Sequence, residues 1–418
     1  MIALFIFCKT SVKSQIKLKS SQYSRQVLLK EWEKLEFFKK MAQKEVPNFG
    51  FYAALVWEGK VISAKKMGYA NRETKLPLDE NTIFMWGSVS KMFTAISIAQ
   101  LIEKNTINLD DPVIKYVPEL GDGVDSLGGL EAIKIYHFLN HNSGLNLRPC
   151  YDSLRKVYPR FKTSIPSTKE ISPFLKLATQ NFTPGKKFQY SNSGYSLLGV
   201  IIERITKMKF TKYVTKNIFE PLGMKTAHYG VTPKKLSKYF TRAYYRMKNG
   251  KVDTMNFDVS QGFQEGNGGV KATVKDMLKF MDFLKFRKRK NYLNRYEKVL
   301  PVKVLENNFL KVNFIQPDVK KFSSVYQSKE IAIYRPLGFT YEKSKVTNAS
   351  ITGHSGGIAY HTSYFFFSNE YPCGVILICN HQTLDRKHKD AKIRTKLIFA
   401  IRDFLLLFNF NKDLYTWP

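Results

Sequence analysis

Apolar residues are densest in one run that begins directly after Lys91. The members of this run are spaced so closely that they cover every side of a helix: Met92, Phe93, Ala95, Ile96, Ile98, Ala99, Leu101 and Ile102. The pattern predicts a helix that is buried on nearly all sides. Residues 27–46 repeat their apolar positions at helical spacing on one face, which predicts a surface helix packed on a sheet.

Strand patterns occur at both ends of the chain. Gly50 to Trp57 and Val61 to Tyr69 predict the two strands of a β-hairpin about residues 58–60. Residues 351–367 and 373–379 are rich in β-branched and aromatic side chains, which predicts long buried strands joined by a turn at 368–372. A closing helix is predicted at 393–407.

This arrangement of strands and helices predicts an α+β fold. One antiparallel β-sheet is expected to be built from the N- and C-terminal segments and flanked by helices. A mainly helical insert is expected at about residues 105–270. We expect one domain over residues 23–418, preceded by a signal or disordered segment at residues 1–22.

Composition supports a large core and carries a strong positive charge. The 418 residues are 44% apolar, and the formal net charge is +33. Apart from residues 285–290, the lysines are scattered over every segment, and no helix-turn-helix, zinc-finger or RNA-binding pattern accompanies them. The charge therefore favours a solvated basic surface, and no nucleic-acid partner is expected.

The cysteines and histidines do not predict a metal or a disulfide framework. The four cysteines (Cys8, Cys150, Cys373 and Cys379) are scattered, and no histidine stands at ligand spacing from them. His137 and His141 are four positions apart, but the glutamate of a His-Glu-x-x-His site is missing. We interpret them as core or capping histidines and expect neither a metal nor another cofactor.

The N-terminus leaves several interpretations open. Its apolar run of seven residues is too short to span a membrane. It fits the tail of a secretory or lipoprotein signal with Cys8 as the lipidated residue, a transit-like segment, or an unprocessed hydrophobic start. The corresponding locations are the cell envelope or periplasm, with membrane association through a lipid anchor at Cys8, or the cytoplasm or an organelle.

A serine and a lysine open the buried helix. Ser88 and Lys91 are three positions apart, so a helix from Val89 onward places both on one face near its N-terminus. A serine needs a neighbour that accepts its proton before it becomes a strong nucleophile. The spacing alone is weak, because it recurs at Ser14/Lys17, Ser63/Lys66 and Ser153/Lys156. The apolar context of Ser88 sets it apart, since a polar pair in a core requires a reason.

Three further stretches carry polar residues at the starts of predicted elements. In residues 184–199, Tyr190, Ser191 and Asn192 precede a helix, where Ser191 or Asn192 is also suited to capping. Residues 265–269 are read as a tight glycine turn before a helix capped near Thr273. Residues 353–357 satisfy Gly-x-Ser-x-Gly, but the strand-like run after them disfavours Ser355 as the nucleophile of an α/β-hydrolase elbow.

Taken in order, these stretches resemble the serine β-lactamase and penicillin-binding-protein superfamily, in particular its class C β-lactamase-like branch. That branch includes D-alanyl-D-alanine carboxypeptidases, D-aminopeptidases and esterases. The resemblance covers about residues 50–380. It rests on the segments GSVSKMFTA (87–95), LDDP (109–112), HNSGL (141–145), PGKKFQYSNSGY (184–195) and GHSGG (353–357).

The resemblance implies a role for each matching position. Ser88 corresponds to the acylated nucleophile, Lys91 to its activator, and Tyr190 to the tyrosine that shares general-base work. Asn192 corresponds to the residue that holds the substrate amide. His354, Ser355 and Gly356 correspond to a substrate-binding segment. The backbone N–H groups of Ser88 and Gly357 correspond to the oxyanion hole.

His354 departs from the Lys-Thr-Gly of many relatives. A lysine there favours a substrate carboxylate, whereas a histidine is common among esterase-like and peptidase-like members. The resemblance thus implies a serine hydrolase that forms an acyl-enzyme on Ser88 with a small-molecule or peptide substrate. It does not specify a β-lactam, a D-amino-acid peptide or an ester. A catalytically silent protein that binds such ligands is the alternative, and the oligomeric state is open.

Overall fold

The computed structural model describes residues 25–33, 35, 50–120, 127–162, 165–285, 293–304, 326–327, 331–383 and 398–406. The strands are β1 (Phe51–Trp57), β2 (Lys60–Met67), β3 (Tyr69–Asn71), β4 (Leu76–Pro77), β5 (Ile83–Met85), β6 (Leu145–Asn146), β7 (Thr179–Gln180), β8 (Ala243–Arg246), β9 (Val252–Met255), β10 (Lys271–Thr273), β11 (Tyr326–Gln327), β12 (Ile331–Tyr334), β13 (Thr340–Ser344), β14 (Ser350–Ile358), β15 (His361–Ser368), β16 (Cys373–Cys379) and β17 (His381–Thr383).

Helices occur along the chain between β5 and β10 and also flank the sheet. They are α1 (Arg25–Glu33), α2 (Ser90–Glu103), α3 (Ile135–Leu139), α4 (Arg148–Val157), α5 (Thr168–Ile171), α6 (Asn192–Thr206), α7 (Phe210–Val214), α8 (Glu220–Leu222), α9 (Glu265–Gly268), α10 (Val274–Lys285), α11 (Leu293–Glu297), α12 (Val302–Val304) and the described part of α13 (398–405).

Eight strands form the main sheet in the order β11-β12-β13-β14-β15-β16-β1-β2. Every neighbouring pair is antiparallel. Because β1 lies between β16 and β2, the N-terminal hairpin completes a sheet whose other strands come from the C-terminal part of the chain. The predicted α+β fold is confirmed.

Successive side chains along a strand point to opposite faces of the sheet. Both faces are buried in the central strands β1, β15 and β16. Phe51, Ala53 and Leu55 of β1 join one apolar cluster, to which α1 and α13 contribute Trp32 and Phe404. The opposite face belongs to a larger cluster, which contains the apolar side of α2 and much of α6 and α10. The helices therefore lie in a layer on each side of the sheet.

The hairpins agree with the prediction at one end and differ at the other. At the N-terminal end, β1 and β2 turn at Glu58 and Gly59, both with positive φ. At the C-terminal end, residues 351–367 are two strands, since β14 and β15 are joined at Ala359 and Tyr360. These two residues adopt φ values of 44° and 63° without the Gly, Asn or Asp that marks such turns, so the sequence carried no signal for the turn.

The remaining predicted elements are observed within the described residues. Helix α2 is buried from Ser90 to Leu101, as its apolar pattern predicted. Helices α1 and α13 lie inside the predicted ranges 27–46 and 393–407 except for two residues at the start of α1. Residues 105–270 contain α3 to α9 together with the short strands β6 to β9.

Some predictions lie outside the described residues. The segment 1–22 and Cys8 are among them, so the lipid anchor, the location and the domain boundaries stay predictions. Within the part of the chain that the structure describes, no helix has both the length and the apolar character needed to cross a membrane.

Candidate active site

Ser88 lies in a single 3-10 turn, Gly87–Val89, between β5 and the buried helix α2. The preceding strand is fixed by β10, because Trp86 donates its backbone N–H to Val270 O at 3.0 Å and its indole N–H to Ala272 O at 2.9 Å. Ser88 itself is half-buried. A rigid strand and a core helix thus hold the hydroxyl in place.

Lys91 lies one turn further along and is 0% exposed. Its Nζ is 3.2 Å from Ser88 Oγ, 2.8 Å from Asn192 Oδ1 and 2.8 Å from the backbone oxygen of Asn267. Burial, followed by the positive charge of Arg335, lowers the pKa of Lys91 well below its usual value. The environment therefore favours a neutral amine at a position where it contacts the serine oxygen.

Tyr190 closes the site from the start of α6 and is 38% exposed. Its ring stacks on His141 with centroids 4.3 Å apart, and Lys91 Nζ lies 5.0 Å from its centroid. Burial of the hydroxyl raises the pKa of Tyr190, while its hydrogen bond with Ser88 and the charge of Arg335 act in the opposite direction. The phenol is thus favoured over the phenolate.

The start of α6 combines a cap and a contact to Lys91. Ser191 is the cap, since its Oγ accepts the backbone N–H of Gly194 at 3.1 Å. Asn192, the first helical residue, is free to direct its Oδ1 at Lys91. The capping interpretation therefore holds for Ser191, and the structure places Asn192 beside the serine and lysine.

The two spaced histidines have structural partners. His137 Nδ1 accepts the backbone N–H of Lys134 at 3.0 Å, at the start of α3. His141 Nδ1 accepts the backbone N–H of Ser191 at 3.0 Å, and burial lowers the pKa of His141 well below its usual value. The interpretation as capping and core histidines is confirmed, and the neutral ring of His141 supports Tyr190.

The backbone of β14 lies directly against the turn that carries Ser88. A Cβ atom on Gly356 would overlap the Trp86 carbonyl oxygen and lie 3.0 Å from Ser88 N. A Cβ on Gly87, whose φ is +53°, would lie 2.9 Å from Gly357 N. Only glycine permits this approach, which brings the backbone of residues 356–357 close to that of residues 86–88.

His354 lies on the same face of β14 as Gly356, and Arg335 lies beside it. His354 Nε2 is 3.5 Å from Arg335 Nη1, and its Nδ1 is 2.5 Å from Ser355 O. Burial, then the charges of Arg335 and Lys91, lower the pKa of His354 well below its usual value. Arg335 also lies over the Tyr190 ring, 5.6 Å from the centroid.

Ser355 is the one predicted residue whose side chain is directed away from Ser88. Alternation along β14 places it on the face of its partner Tyr364, which belongs to the opposite apolar cluster. The chain continues as strand β14 and then turns into β15, without the helix that a nucleophile elbow requires. Only the backbone of Ser355 adjoins the site.

The sequence did not identify two of the groups around Lys91. Arg335 follows β12 outside any motif, so nothing in the sequence marks it. Asn267 contributes a backbone oxygen, for which no side-chain signal exists.

The tight turn predicted at residues 265–269 is wrong, because residues 265–268 form the short helix α9. The predicted cap of the next helix is confirmed, because Thr273 Oγ1 accepts the N–H of Asp276 at 3.2 Å.

Next to Ser88, the surface opens into a cavity of about 650 Å³. The residues that line it include Ser88, Asn192 and Gly357, and also Ile165, Phe257 and Tyr360. A substrate in this cavity has access to the serine hydroxyl and to the neighbouring backbone N–H groups.

The structure thus brings Ser88, in the turn before a buried helix, together with Lys91 of that helix, a tyrosine and a glycine-containing strand on an α+β scaffold. A model of the beta-lactamase family matches residues 38–398. The chain belongs to the beta-lactamase family.

Relatives and solved structures agree with this assignment. The chain is 28% identical over 234 residues to a penicillin-binding protein of Bacillus subtilis (strain 168), covering 53% of this chain and 49% of that protein. It is 30% identical over 196 residues to Esterase EstB of Burkholderia gladioli, covering 44% of this chain and 48% of that protein. Each match spans just under half of the relative's length.

Two solved structures share the fold over most of the chain. An octameric penicillin-binding protein homologue from Pyrococcus abyssi has a TM-score of 0.65 at 24% identity, covering 90% of this chain and 78% of the other. D-amino acid amidase from Ochrobactrum anthropi SV3 has a TM-score of 0.65 at 21% identity, covering 88% and 97%. At these identities the likeness shows the fold alone.

Proposed function

We propose that this protein is a serine hydrolase that forms an acyl-enzyme on Ser88 and acts on a peptide, amide or ester. The observation that carries the proposal is the fully buried Lys91, whose Nζ lies 3.2 Å from Ser88 Oγ. A buried amine with a lowered pKa beside a hydroxyl is a general base for nucleophilic catalysis. Relatives named as an esterase and a penicillin-binding protein support the same reaction class.

The first step transfers the Ser88 proton to Lys91. A neutral amine has two N–H groups, which match the oxygens of Asn192 and Asn267, and a lone pair, which then faces Ser88 Oγ. As Oγ bonds to the substrate carbonyl carbon, the carbonyl π electrons move to oxygen. The backbone N–H groups of Ser88 and Gly357 stabilise the resulting oxyanion, a contribution of about 10²-fold or more for each donor.

The second step expels the leaving group, which needs a proton. Tyr190 remains a phenol because its pKa is raised, so it suits proton donation better than proton removal. The leaving heteroatom takes the phenol proton as its bond to the acyl carbon breaks, and Lys91 returns its proton to Tyr190. A water molecule then attacks the acyl-enzyme by the same route in reverse, which releases the acid and restores Ser88. This assigns the role of base to Lys91.

Covalent labelling tests the proposal. The native protein, Ser88→Ala and Ser355→Ala are treated with a fluorophosphonate or penicillin probe, and the labelled peptide is identified by mass spectrometry. We expect labelling of the native protein and of Ser355→Ala, and none of Ser88→Ala. Labelling that survives Ser88→Ala but disappears in Ser355→Ala would overturn the assignment. Labelling at Ser88 without turnover of esters, D-amino-acid peptides or β-lactams would instead identify a silent binding protein.

A further inference from the structure

The cavity beside Ser88 differs in composition from the rest of the protein. Fourteen described residues line it, and none of them is Lys, Arg, Asp, Glu or His. Charged residues make up 24% of the chain, so a lining of this size would hold about three by composition alone. The polar side chains of the lining are neutral amides and hydroxyls, among them Asn192, Gln261 and Gln264. A charge on a ligand in this cavity would therefore leave water without meeting an opposite charge among the described lining residues, which is unfavourable.

The apolar part of the cavity wall comes mainly from two separate segments. Met255 ends β9 and Phe257 follows it, while Ile358, Ala359 and Tyr360 come from the end of β14 and its turn. Aliphatic and aromatic walls of this kind bind apolar groups through the area that they remove from water.

The turn is fixed to its neighbour by an aromatic contact. Tyr360 stacks on Tyr245 of β8, with centroids 4.4 Å apart and planes 21° from parallel. Such a pair is favourable beyond its apolar area. It helps to hold Ala359 and Tyr360 in the left-handed conformation, which side chains other than glycine rarely adopt. This wall is therefore built before a ligand arrives.

The Phe257 segment is fixed by a buried ion pair. Lys271 is fully buried on β10, and its Nζ is 2.7 Å from Asp258 Oδ1 and 3.1 Å from Val259 O. Asp258 also accepts the N–H and hydroxyl of Thr232 at 3.0 and 2.9 Å. Because a buried charge needs its partner, Lys271 ties the residues next to Phe257 to the core.

The position of the proton-transfer groups decides which part of a substrate enters the cavity. Lys91, Tyr190, His354 and Arg335 are not among the described residues that line it. The leaving group must contact Tyr190 or Lys91, because it takes its proton from them. The cavity, whose lining includes Ser88 but none of these four side chains, is left for the acyl part.

We infer that the acyl part of the substrate is bulky, apolar and uncharged. This inference rests on the proposed hydrolase function and adds the substrate class to it. The wall formed by Phe257, Met255 and Tyr360 determines acyl selectivity, and the Lys271–Asp258 pair holds that wall in place.

Three p-nitrophenyl esters with one leaving group test the inference: acetate, hexanoate and the monoester of adipate. Hexanoate and adipate have equal chain lengths and differ in a terminal carboxylate. We expect kcat/KM for hexanoate to exceed that for acetate by about tenfold or more. It should exceed that for adipate by about 100-fold. The assay is run at an ionic strength of about 1 M, where a Debye length of about 3 Å screens the attraction of the basic surface for an anion.

Phe257→Arg and Val259→Arg form the matched pair of variants. Both introduce one cation into the same segment, but Val259 is exposed and is not among the residues that line the cavity. We expect Phe257→Arg to lower hexanoate turnover and raise adipate turnover, each by about tenfold. Val259→Arg should retain the native ratio.

The outcomes separate this inference from the proposed function. Equal turnover of hexanoate and adipate by the native protein, or equal effects of the two arginine variants, overturns the apolar acyl pocket while Ser88-dependent hydrolysis stands. Absence of Ser88-dependent turnover with all three esters overturns the apolar acyl pocket, and the hydrolase is overturned with it only if the covalent probe also fails to label Ser88.

Discussion

Two groups of residues next to Ser88 differ in their chemistry. The first group consists of ionisable side chains, Lys91, Tyr190, His354 and Arg335, whose pKa values are shifted by burial and by one another. The second group lines the cavity and contains no charged residue among those described. We call these the charged half and the neutral half.

The comparison separates the residues that we propose for proton transfer from the residues that we propose bind the acyl part of the substrate. Lys91 is desolvated and lies near the cation of Arg335, which lowers its pKa and suits it to the proposed role of base. The neutral half would bind a substrate by burying apolar area. A charged group would bind there less well, because its loss of hydration is not compensated by an opposite charge. Substitutions in one half should therefore leave the other half's property intact, and the following predictions test this separation.

The largest effect is expected from Lys91→Met, which removes the base of the charged half. We expect kcat for p-nitrophenyl hexanoate to fall by about 10³-fold, the magnitude typical of general-base catalysis. KM should change little, because the neutral half still binds the acyl chain. Steady-state kinetics on the folded variant gives both values.

Lys66→Met is the control for this substitution. Ser63 and Lys66 repeat the Ser88–Lys91 spacing on strand β2, where Lys66 is exposed. Native activity is expected for it. A Lys91→Met variant with near-native kcat would contradict the role of the charged half.

Gly87→Ala should have the next largest effect, because Gly87 lies where the two halves meet. An added Cβ would lie 2.9 Å from Gly357 N and would displace the strand that contributes to the proposed oxyanion site. We expect kcat/KM to fall by about 10²-fold, as for loss of one oxyanion donor. The loss should be equal for acetate and hexanoate, since it acts on the reacting carbonyl.

Gly250→Ala is the control for Gly87→Ala, because it introduces the same kind of backbone strain without a contact to Gly357. Gly250 has a φ of +83°, and a Cβ there would meet no atom within 4 Å. Both variants should lose about 1 kcal/mol of unfolding free energy from the left-handed conformation. If Gly250→Ala loses as much activity as Gly87→Ala, the effect arises from destabilisation and not from the oxyanion site.

The pH profile should show the smallest change, and only in the charged half. The neutral form of Lys91 is the active one, so kcat should fall as the pH drops through its lowered pKa, while KM for hexanoate stays nearly constant. In Arg335→Gln, loss of a neighbouring cation favours the protonated amine and raises the pKa of Lys91. The midpoint of the kcat profile should therefore move to higher pH.

A charge-conserving variant serves as the reference for this measurement. Arg335→Lys keeps a cation near Tyr190 and should leave the midpoint close to native. An unchanged midpoint in Arg335→Gln would show that Arg335 does not set the proton affinity of Lys91.

Local patterns in the sequence were sufficient for the core helix, the N-terminal hairpin and the Ser88–Lys91 pair. These features depend on neighbours within one turn or one hairpin, so their spacing is visible in the chain itself. Tyr190, Asn192 and His354 were identified through ordered motifs. Their convergence on Lys91 required helix α6 to pack against α2 and strand β14 to pack against the turn Gly87–Val89, which spacing alone does not predict.

The tertiary structure alone decided the rest of the site. The sequence determined the Ser88–Lys91 pair at the start of the buried helix and the fold that surrounds it. It did not determine that Arg335 lowers the pKa of Lys91, that the backbone oxygen of Asn267 binds the amine, or that Ser355 is directed away. The physical reason is that a pKa, a backbone contact and a strand face depend on distances between segments far apart in the chain. The charge-free walls around Phe257 and Tyr360 likewise exist only after β9 and the β14–β15 turn meet beside Ser88.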